Sequence, residues 1–213
     1  MINIKEICRK YGITNYTINL DGSIDVVGNV YLIHDGLTEI PLKFNKVSGD
    51  FSCSRNKLTN LEGCPNYVGD TFYCGYNNLT SLYGCPNYVG DAFYCGYNNL
   101  TCLIGSPNYV GDTFYCGYNN LTSLYGCPNY VGDAFYCGYN NLTCLIGSPN
   151  YVGDTFYCGY NNLTSLYGCP SHIGGKFYCY GNPLPEEIRD NPMAEIKRLN
   201  RESKLNLLLN EYL

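Results

Sequence analysis

FYCGYNNLTSLYGCPNYVGDA occupies residues 72–92 and FYCGYNNLTCLIGSPNYVGDT follows directly at 93–113. The two forms then alternate again, so that residues 71–112 and 113–154 are identical. A period of 21 residues is too short for an independent domain. It is the mark of a stack, in which each unit buries its apolar side only against its neighbours. Within Phe72-Tyr73-Cys74 the alternation of a strand puts Phe72 and Cys74 on one face and Tyr73 on the other. Leu79, Leu82 and Val89 add apolar residues at irregular spacing, which suits a coil bending back to one core and not a helix. Gly84-Cys85-Pro86 supplies the turn chemistry for the reversal.

The period extends outward from this centre. A copy starting at Val47 matches at the framework positions, and Val26 begins a fainter one carrying Val30, Leu32, Asp35, Leu37 and Ile40. Ile173 opens the last copy, which ends FYCYGNPL. The expected fold is a repeat solenoid of about eight turns over residues 26–185, with strand cores from Val30–Leu32 and Phe51–Cys53 through to Phe177–Cys179. Asn56, Asn77, Asn98, Asn119, Asn140, Asn161 and Asn182 recur once per turn. Because an amide both donates and accepts, a buried ladder of them can satisfy backbone groups that no sheet reaches. Stacks need end caps. Residues 1–25 read as an N-terminal cap, with a helix over about 3–11 and a hairpin around Asp21-Gly22 that continues into the first turn's strand. Residues 186–213 read as a helical cap starting at Asn191-Pro192, with Met193, Ile196 and Leu199 as its apolar stripe.

The pattern F-x-C-x-x-N-x-L-x-x-L, from Phe72 to Leu82, resembles the L-x-L-x-x-N-x-L-x-x-L core of leucine-rich repeats over roughly residues 26–185. NLTSLYGCPNYVGD is more closely similar to short repeats in sequences from phages, large viruses and some bacteria, where L-T-S-L-x-G-C-P is followed by V-G and F-Y-C. The resemblance implies a right-handed coil with a parallel sheet on its concave face, and a partner bound on that face. One departure stands out: four residues separate Val68 from Phe72, where many leucine-rich repeats have a Leu three before that position. A looser returning limb is expected from it, with a β-helix-like coil as the alternative.

Composition narrows the function classes. Of 14 cysteines, Cys53, Cys74, Cys95, Cys116, Cys137, Cys158 and Cys179 recur every 21 residues and none forms a C-x2-C pair. A ladder of reduced, buried thiols is expected, without zinc or disulfides. The pairs Ser81/Cys85, Cys102/Ser106, Ser123/Cys127 and Cys144/Ser148 swap small side chains between adjoining turns. The only histidines, His34 and His172, lie in the first and last turns, so no nucleophile–base constellation forms and neither an enzyme nor a cofactor is expected. Every Lys and Arg lies outside residues 58–175 and the formal charge is −5, which disfavours nucleic acid. There is no 18-residue apolar run, no basic face in LNLLLNEYL and no apolar signal region in MINIKEICRKYGI. These features point away from membranes and secretion, toward a cytoplasmic protein. Without entry into the secretory route, sequons such as Asn78-Leu79-Thr80 are repeat grammar. Asp70, Asp91, Asp112, Asp133 and Asp154 fall once per turn. They are expected to cap backbone N–H groups, with cation binding as the remoter alternative, since one carboxylate per turn falls short of the six to eight oxygens that Ca²⁺ prefers.

The candidate binding residues are tyrosines. Tyr73, Tyr94, Tyr115, Tyr136, Tyr157 and Tyr178 occupy the outward strand position, and Tyr76, Tyr97, Tyr118, Tyr139 and Tyr160 sit three residues later. The first full turn has Ser52 and Arg55 instead. Two readings stand: a concave aromatic face that binds a protein partner, or stacked rings that only stabilise neighbouring turns. A row of Tyr83, Ile104, Tyr125, Ile146 and Tyr167 replaces Glu62 on the flank. Self-association is one use for it; packing between turns, in step with the Ser/Cys swap, is the favoured one. The identity of 71–112 with 113–154 points to recent expansion or to an idealised, engineered array. The expected function is therefore a non-catalytic scaffold with no dedicated activity, and the alternative is a protein-binding module.

Overall fold

Two dipeptides of each repeat unit are extended in the computed structural model, which describes residues 3–210: Phe-Tyr, as at Phe72–Tyr73, and Tyr-Val, as at Tyr88–Val89. Each pairs in parallel with its equivalents one turn away, Phe72 with Phe93 and Tyr88 with Tyr109. The first set builds an eight-stranded sheet from Val30–Tyr31 to Phe177–Tyr178, which is seven intervals of the repeat. The second builds a nine-stranded sheet that ends at His172–Ile173. The result is a leucine-rich-repeat-like solenoid of two parallel sheets closed over one core.

Three expectations change in detail. The returning limb is not loose: its Tyr-Val dipeptides form the nine-stranded sheet, because consecutive turns approach closely there. Gly90 N donates to Val68 O at 3.0 Å, and a Cβ on Gly90 would collide with the Gly69 carbonyl, so glycine sets that approach. The hairpin Tyr16–Ile18/Ile24–Val26 joins this same sheet, with Ile24–Val26 running parallel to Phe44–Val47, and so does not continue into the strand at Val30. The strands of the other sheet stop at Tyr73 and its equivalents, one residue before the cysteine, since the chain turns away at Tyr76 with φ 57°.

Phe72, Cys74, Leu79, Leu82 and Val89 are fully buried, as are their equivalents in the central turns. The phenylalanines run as a stack with centroids 5.1–5.6 Å apart, and burying each ring stabilises the fold by roughly 1.5–3 kcal/mol. All fourteen cysteines are free thiols. Burial pushes those of Cys74, Cys95, Cys116, Cys137 and Cys158 well above the usual range.

Helix α1, Ile4–Lys10, is capped by the Asn3 side chain and buries Cys8. At the other end lie α2, Glu186–Asp190, and α3, Pro192–Asn210. Asn191 Oδ1 accepts from Ala194 N at 3.2 Å, and Ile196, Met193 and Leu199 pack on the last turn. Arg198 pairs with Glu195 and Glu202 on the exposed side, contacts that contribute little to stability. Among the described residues, no helix is long and apolar enough to cross a membrane.

Because contacts run only between neighbouring turns, deleting residues 113–154 should join identical surfaces. We expect a folded, cooperative protein shorter by roughly 10 Å at ~4.8 Å per turn, as read by small-angle scattering. An unfolded product would contradict the stack.

Candidate binding face

The face begins where each strand of the eight-stranded sheet ends. After Cys74 come Gly75, then Tyr76 in the left-handed region, then Asn77 pointing inward. Asn77 Nδ2 donates to Cys53 O at 3.0 Å and to Cys74 O at 3.1 Å, while its Oδ1 accepts from Leu58 N at 3.0 Å. The same set recurs at Asn98, Asn119, Asn140 and Asn161. Asn182 repeats the two donations, and Leu163 N donates to its Oδ1. Asn56 serves the first turn, where its Oδ1 accepts from Asp35 N and Leu37 N.

The left-handed turn swings the next tyrosine outward. Tyr76, Tyr97, Tyr118, Tyr139 and Tyr160 all have φ between 53° and 57°, a conformation that costs a non-glycine residue roughly 1–2 kcal/mol. Their rings form a stack with centroids 4.2–4.4 Å apart, and each such pair returns about 0.5–1.5 kcal/mol. That separation is below the 5.1–5.6 Å of the phenylalanine stack, so these rings are in closer contact than those of the core. Arg55 occupies the equivalent position one turn before Tyr76 and lays its guanidinium over that ring at 4.5 Å. Burial and the adjacent Tyr118 and Tyr160 hydroxyls push Tyr139 up to about 12.

The other tyrosine row is half-buried and irregular. Tyr73 and Tyr94 stack parallel at 3°, but Tyr94, Tyr115, Tyr136 and Tyr157 are tilted to one another by 39–42°. Tyr115 leans across the backbone between Gly96 and Gly117, its hydroxyl beside Tyr97, and Tyr157 leans likewise between Gly138 and Gly159. Only glycine allows it: a Cβ on Gly96 would meet the Tyr115 ring. At the matching place before Tyr73 stands Ser54, whose own Cβ takes that space, and Tyr73 stays upright. Tyr94 has Asp91 and Asp112 nearby, and Tyr136 has Asp133 and Asp154. Tyr178, the last of the row, is exposed and meets Tyr180 edge-on.

The leaning rings divide the face into two equivalent compartments. One, of about 250 Å³, has a floor of Gly75 and Gly96, walls of Tyr73, Tyr76, Tyr94 and Tyr97, an end closed by Tyr115, and Ser54 and Arg55 at its open end. The other, of about 300 Å³, is the same set one 42-residue block later: Gly117 and Gly138 between Tyr115 and Tyr157.

Elsewhere, three of the five aspartates of the once-per-turn row accept from threonine hydroxyls. Asp91 accepts from Thr71 Oγ1 at 3.2 Å, Asp133 from Thr113 Oγ1 and Asp154 from Thr155 Oγ1. The backbone N–H of Thr71 donates to Asp50, which stands one period before Thr71 and so outside this row, while Asp91, Asp133 and Asp154 bond threonine hydroxyls instead of the backbone N–H groups expected. Among the described residues, no group of three or more His, Cys, Asp or Glu is placed to hold a metal ion. The flank row Tyr83, Ile104, Tyr125, Ile146 and Tyr167 is 46–82% exposed, so its side chains are not packed between turns as favoured from the sequence. A third aromatic row escaped the sequence reading. Tyr67, Tyr88, Tyr109, Tyr130 and Tyr151 stack on the outer side of the nine-stranded sheet and end on His172. Its signal was present in the Tyr-Val-Gly that mirrors Phe-Tyr-Cys-Gly.

Neither protein-family models nor curated protein sequences match the chain. Among solved structures it is similar to the leucine-rich-repeat domain of a Shigella effector, with a TM-score of 0.59, 22% identity, and coverage of 75% of this chain and 71% of that one. YopM from Yersinia enterocolitica WA-314 aligns over 74% of this chain and 44% of its own, at 18% identity and a TM-score of 0.36. The first likeness establishes the leucine-rich-repeat-like fold.

Proposed function

We propose that the protein is a non-catalytic binding module whose partner, a protein segment, lies along the tyrosine face of the eight-stranded sheet. The observation that carries this is the pair of glycine-floored compartments. A stack that needed only stability would fill that floor, whereas here nine tyrosines of the two rows from Tyr73 to Tyr157 frame it and leave it open. Tyrosine supplies contact area with little side-chain entropy to lose, as recognition surfaces require. A second reading, an idealised array with no dedicated activity, draws on the identity of residues 71–112 with 113–154.

The test is a displayed random-peptide library panned on the protein and counter-screened on the variant Tyr94→Ser, Tyr115→Ser, Tyr136→Ser. The variant should stay folded with a loss of about 1–3 kcal/mol from its broken ring pairs. On the binding reading, enriched peptides bind the parent and are lost on the variant. Peptides held equally by both, or no enrichment at all, would leave the scaffold reading.

A further inference from the structure

The geometry points to a ligand class for this face: an extended peptide in the polyproline II conformation, with prolines at i and i+3 seated in the two compartments and an acidic residue reaching Arg55. The inference rests on the binding reading above and adds the identity of the occupant.

The spacing decides between backbone conformations. The compartments are related by one 42-residue block, which is two turns, or roughly 9–10 Å at ~4.8 Å per turn. A β-strand presents same-face residues at about 6.6 Å and about 13 Å, and neither matches. An α-helix repeats its face after seven residues, about 10.5 Å, but a rod about 10 Å across cannot enter compartments of 250 and 300 Å³ that lie between tyrosine rings. Polyproline II repeats every three residues at about 3.1 Å each, giving about 9.3 Å between i and i+3 on one face. Its ridge is narrow, its apolar rings suit aromatic walls, and its carbonyls carry no internal hydrogen bonds, so the phenol hydroxyls along both rows can donate to them.

Charge sets the direction. The open end of the first compartment carries Arg55, the only charged side chain in the lining of either compartment. Its guanidinium lies over the Tyr76 ring at 4.5 Å, a contact that uses none of its N–H donors and leaves them to pair with a carboxylate. Tyr94 and Tyr136 have equivalent aspartate neighbours, so Arg55 alone sets the polarity of the face. The occupant is therefore acidic at the Arg55 end and proline-bearing beyond it.

The probe is a fluorescein-labelled peptide, Asp-Ala-Pro-Ala-Ala-Pro-Ala-Arg, followed by fluorescence polarisation against the full chain. Its control, Asp-Ala-Pro-Ala-Pro-Ala-Ala-Arg, moves one proline to i+2. The expected result is saturable binding with about tenfold preference for the i,i+3 peptide, a difference of about 1.4 kcal/mol. Arg55→Glu should weaken that peptide about tenfold and restore binding to Lys-Ala-Pro-Ala-Ala-Pro-Ala-Arg, with near-ultraviolet circular dichroism confirming that the tyrosine stack persists. Equal affinity for the two spacings, no charge-dependent exchange at Arg55, or no saturation by about 1 mM would overturn the proposal. A peptide library that enriches other sequences lost on the triple tyrosine variant would remove this occupant while leaving the binding reading in place.

Discussion

Stability should collapse just above pH 9, in a cooperative transition steeper than that of an ordinary domain of this size. Burial holds the thiols of Cys64, Cys74, Cys95, Cys116, Cys137 and Cys158 far above their usual value of about 9, so they stay protonated in the folded stack. In the unfolded chain the same thiols ionise through that value. Above it the unfolded chain binds fewer protons than the folded one, so unfolding becomes easier as pH rises, whereas below about pH 8 the thiols contribute no pH dependence. Each contributes about 1.4 kcal/mol per pH unit, and six together about 8, against a total stability of about 5–15 kcal/mol for a typical domain. Urea titrations under reducing conditions at pH 8, 9 and 10 measure the slope directly, and Cys116→Ala should lower it by about 1.4 kcal/mol per unit. A flat profile across that range would mean that the thiols ionise inside the fold, and so are not buried.

The sequence made the interior legible because the interior is periodic. Phe72, Cys74, Leu79, Leu82 and Val89 each recur at a fixed offset, and a ladder of identical apolar side chains has few places to go except inward. The nine-stranded sheet was hidden for the opposite reason. Tyr88–Val89 is two residues long, too short for an alternation to be read, and it is a strand only because turns one period away lie against it. Gly90 was the available clue, since a glycine fixed at one place in every central turn marks a close backbone approach.

The candidate site was legible as residues and not as shape. Both tyrosine rows could be named from their spacing, but the two compartments depend on which rings lean. A glycine in the preceding turn permits the lean, as Gly96 does for Tyr115 and Gly138 for Tyr157, but does not decide it, since Tyr94 keeps its parallel stack on Tyr73 although Gly75 stands at its matching place. The flank tells the same story from the other side. Tyr83 and Ile104 alternate in step with Cys85 and Ser106, yet the hydrogen bonds that follow the alternation are made by the small residues alone. Cys85 Sγ donates to Gly105 O and Ser106 Oγ to Leu103 O, and the large side chains stay in solvent.

Replacing Asn119 by Ala should cost about 3 kcal/mol, and replacing it by Asp should cost more. Asn119 is 8% exposed and joins two turns: Nδ2 donates to Cys95 O at 3.2 Å and Cys116 O at 3.0 Å, and Oδ1 accepts from Leu100 N at 3.0 Å. With Ala, Cys95 O keeps Asn98 and Cys116 O keeps Asn140, but Leu100 N–H is left buried without a partner, a loss of about 1–3 kcal/mol beyond the bonds themselves. With Asp, one carboxylate oxygen can still accept from Leu100 N, while the other is turned toward the Cys95 and Cys116 carbonyls with no proton to offer. A buried charge facing two carbonyl oxygens is worse than a methyl group. The ranking is therefore more diagnostic than either value, because a side chain in solvent would tolerate Asp at least as well as Ala. Since each amide links neighbouring turns, the damage at the centre of the stack should also divide the protein, giving a second urea transition as the two halves melt separately. A cost near zero for Ala, or a milder effect of Asp at pH 7, would place the amide outside the ladder and remove it as the clasp between turns.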